Sequence, residues 1–116
     1  MTTARQLADA VGARLLGDRS GADLDLTGAT IRAQDCGPGI LFAALPGTRV
    51  HGASFGATAV EAGASAVLTD PEGIELMAAV AGRLPVLVHP APRAVLGAVS
   101  AAVTGDPSAD LDVVGI

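Results

Sequence analysis

Lysine is absent from this 116-residue chain, and so are tryptophan and tyrosine. Without lysine, nothing here can act as the phosphate-gripping lysine of an ATP-binding loop or form a Schiff base. With Phe42 and Phe55 as the whole aromatic complement, the chain offers no stacking platform for nucleic-acid bases. Basic charge is scarce as well. Seven arginines stand singly among twelve acids, and the formal net charge of −5 is the wrong balance for gripping a phosphodiester backbone. The single cysteine, Cys36, cannot form an internal disulfide, which fits a reducing compartment. Every apolar run is cut short by Gly, Pro or a charge, so none is expected to span a bilayer. The N-terminus has no basic stretch leading into an apolar core, as a secretion signal would. The expectation is a cytoplasmic, soluble domain with neither nucleic acid nor membrane as a partner.

What is present is apolar: half of the residues are hydrophobic, enough for one packed core in a chain of this length. Thr3 and Gln6 have capping-box spacing ahead of Leu7, Ala10 and Val11, and Gly12 supplies a stop, which predicts a helix from Thr3 to Val11. Short extended pieces are expected at Arg14–Leu16 and Leu24–Thr27, with Asp23 and Asp25 on the wet side of the latter. Ile40–Leu45, Ala66–Thr69 and Pro85–His89 are uninterrupted apolar runs of the kind that form strands covered on both faces. Between them lie helical patterns. Ser54 is placed to cap a helix to Ala62 with Phe55, Ala59 and Ala62 inward. Asp70-Pro71 supplies an N-cap and a first-turn proline for a helix ending near Gly82, with Ile74, Met77, Ala78 and Ala81 on one face. Pro92 opens a helix aligning Leu96, Val99 and Val103, and Leu111–Ile116 reads as the start of another strand. Alternating strands and helices with short connections predict an α/β fold, a small three-layer domain whose largely parallel sheet is flanked by helices.

In such sheets ligands gather beyond the carboxyl ends of the strands. That directs attention to Pro46–Gly52, Asp70 and His89-Pro90, joined by Ile31–Gln34 if its strand lies nearby. No nucleophile–base pair, paired acids or metal-ligand spacing stands out, so no catalytic and no metal-binding residue is assigned. No G-x-G-x-x-G follows a strand, which removes the main support for a dinucleotide site. Taken singly, Asp70 reads as a helix cap, His89 as a structural residue, Cys36 as a turn residue, and His51 equally as a turn former or a ligand contact.

Three stretches carry a family resemblance. They are Gly37-Pro38-Gly39-Ile40-Leu41-Phe42-Ala43-Ala44-Leu45-Pro46-Gly47, then His51-Gly52-Ala53-Ser54-Phe55, then Ala62 to Asp70. In this order and spacing they resemble the N-terminal domain of the Mur ligases, with their "PGDLFVALPG" strand and turn, "HGADF"-like helix start and "GAVAVLTD"-like strand. The leucine-proline-glycine turn and His51-Gly52 resemble the MurE type more than MurF. Pro107-Ser108, Leu111 and Val114-Gly115-Ile116 look like the junction that precedes the ATP-binding loop in these ligases.

The resemblance implies that residues 1–105 hold the UDP end of UDP-N-acetylmuramoyl-L-alanyl-D-glutamate. Residues 106–116 would be the linker and first strand leading into a central ATP-binding domain, and a C-terminal domain would bind the incoming diamino acid. ATP and Mg2+ would serve the full-length ligase, with no cofactor on this segment. Thr30, Ile31, Arg32 and Ala33 align with the family's "T-L-D-S-R" run, and Thr48, Arg49, Val50 and His51 with the loop that meets the uracil. These eight are the expected substrate-binding residues. Two departures stand out: Ala33 lacks the family's serine hydroxyl, and Ile40 replaces a common aspartate. The alternatives are a MurF-type domain, or an α/β interaction module that no longer binds a nucleotide.

Overall fold

The computed structural model describes residues 3–17, 26–45, 51–78 and 81–104. Helix α1 (Ala4–Val11) starts as its sequence dictates. Thr3 Oγ1 accepts the Gln6 N–H, Gln6 Oε1 accepts the Thr3 N–H, and the chain turns left-handed at Gly12. The expected strands follow as β1 (Arg14–Gly17), β3 (Ile40–Ala43), β4 (Ala66–Thr69) and β5 (Pro85–Val88).

The remaining strand, β2, runs over Gly28–Thr30; of the strand expected at Leu24–Thr27, Leu26 and Thr27 precede the ladder, and residues 24–25 lie outside the described residues. The N–H groups of Thr27 and Gly28 both converge on the Gly39 carbonyl, so the regular ladder begins only where Gly28 faces Ile40. Leu26 is buried in the core just before it. Asp23, Asp25 and the strand expected at Leu111–Ile116 lie outside the described residues.

The five strands form one sheet in the order β1-β5-β4-β3-β2. β2 to β5 are parallel, and β1 closes one edge antiparallel to β5. The period of two sends alternate residues to opposite faces. Leu41, Ala43, Ala66, Leu68 and Leu87 meet α1 and α4 (Pro92–Thr104) through Leu7, Val99 and Val103. Phe42, Val67, Val86 and Val88 meet Ala59 of α2 (Gly56–Glu61) and Met77, the residue after α3 (Pro71–Leu76). The result is the expected three-layer α/β domain. The crossovers through α2 and α3 lie on the same face, as one handedness requires when successive strands are added in one direction.

Two helices depart from the sequence pattern. The segment expected to be capped by Ser54 opens instead as a 3-10 turn at Gly52–Phe55, because the His51 side chain takes the Ala53 N–H and starts the turn three residues early. Ser54 Oγ donates back to the His51 carbonyl, and Phe55 is exposed rather than inward. Helix α3 stops at Leu76, well short of Gly82. Met77 leaves the helical conformation and buries its thioether in the space beside Gly56, while Ala78 faces solvent.

Core burial and helix capping therefore predict different costs. Leu68→Ala is expected to lower unfolding free energy by about 3 kcal/mol through cavity formation. Thr3→Ala should cost about 1 kcal/mol through removal of the cap. Urea titration followed by circular dichroism checks both the values and their order.

Candidate functional site

Four parallel strands place their carboxyl ends side by side, and the segments that leave them make one edge: Ile31 after β2, Ala44-Leu45 after β3, Asp70 after β4, and His89 after β5. Backbone and side-chain bonds stitch this edge together. The Thr69 hydroxyl, fully buried, donates to the Ala44 carbonyl at 3.0 Å, and the Ala44 N–H donates to the Leu68 carbonyl at 2.7 Å. The His89 N–H reaches the Thr69 carbonyl at 2.9 Å.

The chain returns to this edge at His51-Gly52. The Gly52 N–H donates to the Leu45 carbonyl at 2.7 Å, which brings residues 45 and 52 together. A Cβ on Gly52 would lie 2.8 Å from the Leu45 nitrogen and 2.9 Å from its oxygen, so only glycine permits this closure. His51 uses both ring nitrogens. Nδ1 accepts the Ala53 N–H at 2.9 Å, so Nε2 carries the hydrogen and donates to Asp70 Oδ1 at 2.8 Å. The same Oδ1 accepts the Gly73 N–H at 2.7 Å and caps α3. The His51 side chain is only 6% exposed and that of Asp70 14%, so the pair is shielded from competing water. Gly73 is obligatory here: a Cβ would collide with the Thr69 side chain and with His51 Cε1.

The eight expected binding residues divide as follows. Thr30 ends β2, and its Oγ1 accepts the Arg32 N–H at 3.1 Å. Ile31 is 61% exposed, a large apolar side chain standing free at the strand end. Arg32 pairs with Asp35 through Nε at 3.4 Å, both being open to solvent, where such pairs contribute little to stability. Ala33 turns inward, 5% exposed, into the cluster that holds Ala44 and Ala53. A ligand on this side of the sheet would meet its backbone rather than its methyl group. That burial places the turn after β2 on the face of the sheet covered by α2, which it contacts. Thr48, Arg49 and Val50 lie outside the described residues.

The pairing of His51 with Asp70 is not legible in the sequence, where each reads as a separate local feature. Their separation of 19 positions has no local signature; only the topology, with β4 beside β3, brings them together. His89 repeats the small turn, its Nδ1 accepting the Ala91 N–H at 2.9 Å.

A histidine beside an aspartate suggests acid–base chemistry, but here Nδ1 is spent on a backbone amide and Nε2 on the carboxylate. The arrangement holds a shape and leaves no ring nitrogen to take a proton from substrate. Among the described residues no three His, Cys, Asp or Glu side chains gather as metal ligands. Nor is any helix among them long and apolar enough to cross a membrane. A surface hollow of about 240 Å³ opens beside β1, the lateral strand farthest from β2, lined by Arg5, Ala8, Asp9, Ala13 and Leu15. It is below the ~300 Å³ at which ligand clefts usually begin, and it is remote from β2.

The class these features define is an α/β domain whose parallel strands end at one hydrogen-bonded edge. A family model described as "Mur ligase family, catalytic domain" matches residues 25–104. The chain is 50% identical over 92 residues to the UDP-N-acetylmuramoyl-L-alanyl-D-glutamate--2,6-diaminopimelate ligase of Streptomyces coelicolor, covering 79% of this chain and 18% of that protein. It is 39% identical over 109 residues to the protein of the same name from Corynebacterium glutamicum, covering 94% and 20%. It is 46% identical over 96 residues to the UDP-N-acetylmuramyl-tripeptide synthetase of Leifsonia xyli, covering 83% and 18%.

This chain belongs to the Mur ligase family. Its similarity is to ligases of the MurE type, and it spans about a fifth of the length of the curated relatives it matches.

Local chemistry at this edge sets two expected outcomes. Gly52→Ala is expected to destabilise the domain by about 1–3 kcal/mol through the clash with Leu45, whereas Gly37→Ala, whose Cβ meets nothing within 4 Å, should be near neutral. Thermal melts of the two variants decide this. Partial burial, and then the neighbouring Asp35 carboxylate, push the Cys36 thiol above its ordinary pKa. Its alkylation by iodoacetamide at mildly alkaline pH should run slower than that of the unfolded chain, and mass spectrometry of timed samples measures the rates.

Proposed function

We propose that residues 1–105 bind the UDP end of UDP-N-acetylmuramoyl-L-alanyl-D-glutamate, as the N-terminal domain of a cytoplasmic, ATP-dependent ligase in peptidoglycan precursor synthesis. The ligase adds 2,6-diaminopimelate, or L-lysine, as the third residue of the stem peptide. Residues 106–116 lead into its ATP-binding domain. The observation that carries this reading is that β2 and β3 are neighbouring parallel strands, so the segment with the exposed Ile31 leaves the sheet beside Ala44-Leu45, the point to which the Gly52 closure returns the chain. This supports one edge for the two segments that the family resemblance assigns to the uridine. The names of the relatives, two of them specifying the dipeptide nucleotide and diaminopimelate, support the same substrate.

Each part of the edge has a role in this reading. Ile31 supplies an apolar surface for one face of the uracil ring, and Val50 the other. Backbone N–H and C=O groups at Ile31–Ala33 and in Thr48–His51 read the edge of the base. Arg32 and Arg49 offer guanidinium groups to the diphosphate. The chemistry of ligation takes place elsewhere. With no lysine and no Gly-rich Lys-Thr loop, these residues do not fit an ATP-hydrolysing centre, so ATP and Mg2+ belong to the central domain. In the intact ligase ATP activates the D-glutamate side-chain carboxylate. This domain's part is to fix the far end of the substrate, so that remote binding energy orients the reacting end. Its partners are the nucleotide-linked dipeptide and the central and C-terminal domains of the same polypeptide.

Backbone amide shifts followed by NMR during titration with UDP, uridine and ADP test the assignment. UDP should produce saturable shifts centred on Ile31–Gln34 and on Thr48–Gly52, and ADP none. Ile31→Ala should weaken UDP binding about tenfold, the equivalent of ~1.4 kcal/mol of apolar contact. Shifts scattered over the surface, or equal responses to UDP and ADP, would refute the uridine site.

A further inference from the structure

We infer that His51 and Asp70 act as a positioning pair for the nucleotide subsite: their hydrogen bond clamps the returning chain onto the end of β4 and keeps the Leu45–Gly52 closure shut. The inference rests on the uridine-site reading and names the device behind it. Neither side chain needs to touch the ligand.

The geometry argues for a clamp rather than two independent caps. Asp70 Oδ1 accepts from two donors that belong to different parts of the chain, His51 Nε2 at 2.8 Å and the Gly73 N–H at 2.7 Å. One carboxylate thus ties the start of the 3-10 turn at Gly52–Phe55 to the start of α3. His51 lies next to Gly52 in sequence, and the Gly52 N–H bond to Leu45 is what closes the segment between them. The Thr69 side chain packs under the Gly73 Cα and bonds the Ala44 carbonyl, so the clamp is footed on the same strand ends that it organises. A cap on α3 alone would be satisfied by serine at position 70, and a turn at position 51 by asparagine. Neither requirement explains a shielded imidazole joined to a carboxylate 19 positions away.

Those two residues give the test. Asp70→Ser retains an acceptor for Gly73 but is too short for His51. His51→Asn retains an acceptor for Ala53 but cannot span to Asp70. Asp70→Asn keeps Oδ1 as an acceptor for both donors and serves as the conservative rescue. In all three the folded amide spectrum should persist. In Asp70→Ser and His51→Asn the Gly52 amide should exchange with solvent about tenfold faster and UDP should bind about tenfold more weakly, with the double variant no worse than either single one. Asp70→Asn should stay within about threefold of the parent in both readouts, a rescue that a general fall in stability would not show.

Unchanged Gly52 exchange in the two cut variants overturns the clamp. Faster exchange with unchanged UDP affinity overturns its positioning role. If the parent chain binds no UDP at any concentration, the uridine reading fails by itself. The clamp is then judged on Gly52 exchange alone, which faster exchange in the cut variants and rescue by Asp70→Asn would uphold.

Discussion

Parallel strands cannot be joined by tight turns, and that constraint shapes this domain more than any single contact. β3, β4 and β5 each follow a connection that leaves a carboxyl end, crosses one face of the sheet and comes back to the opposite end. All irregular chain that departs from β2 to β5 therefore collects at one edge. The amino ends receive only the returning connections. The site is where it is because the strands run one way, and the residues that line it need not be near one another in sequence.

Collecting loops at an edge creates a second problem, since exposed backbone groups there must be satisfied without a ladder to continue. The chain meets this with short polar side chains that each serve a nearby amide: Thr30 for Arg32, His51 for Ala53, Asp70 for Gly73, His89 for Ala91. In the described part of the edge, each strand end from β2, β4 and β5 carries one such acceptor, and the return of the chain after β3 carries another. The two histidines are thus turn formers in the first place. What separates them is topology. His51 arrives beside the end of β4 and finds a carboxylate for its second nitrogen, while the turn at His89 reaches only its own Ala91.

The legibility of the fold in the sequence follows the same division between local and non-local causes. β4 and β5 are visible because apolar runs covered on both faces leave no other reading. The Thr3–Gln6 box and the Asp70-Pro71 start are visible because capping depends on neighbours three positions apart. Expectation and structure part where a distant contact overrides a local preference. Ser54 is a competent cap, but the closure of Gly52 on Leu45 and the reach of His51 to Ala53 start the turn before Ser54 can act. Helical periodicity runs on past Leu76, yet the space beside Gly56, some twenty positions earlier, draws Met77 out of the helix. β2 takes its register from the Gly39 carbonyl and Ile40, contacts about twelve positions away that nothing in its own sequence announces. Of the candidate site, the segments are legible through family resemblance. The burial of Ala33 and the His51–Asp70 bond are not.

The departure at Ala33 changes meaning in this light. A serine hydroxyl at that position in the family pattern suggests a hydrogen bond to ligand that alanine cannot make, and with it a weaker site. In this chain residue 33 is buried in the cluster on the α2 face of the sheet, a place where an unpaired hydroxyl would cost roughly 1–3 kcal/mol. Alanine suits that position on packing grounds alone. If this edge holds the nucleotide as proposed, a site made largely of backbone groups and one exposed isoleucine would depend less on any single side chain than on rigid hydrogen bonding of the segments that form it. Rigidity is also what a remote anchor must provide. Binding energy at the far end of a long substrate reaches the reacting end only if little of it is dissipated in motion at the point of attachment. On the proposed reading, the buried Thr69 hydroxyl, the Gly52 closure and the His51–Asp70 bond would all serve that one requirement, and none of them would have to touch the substrate to do so.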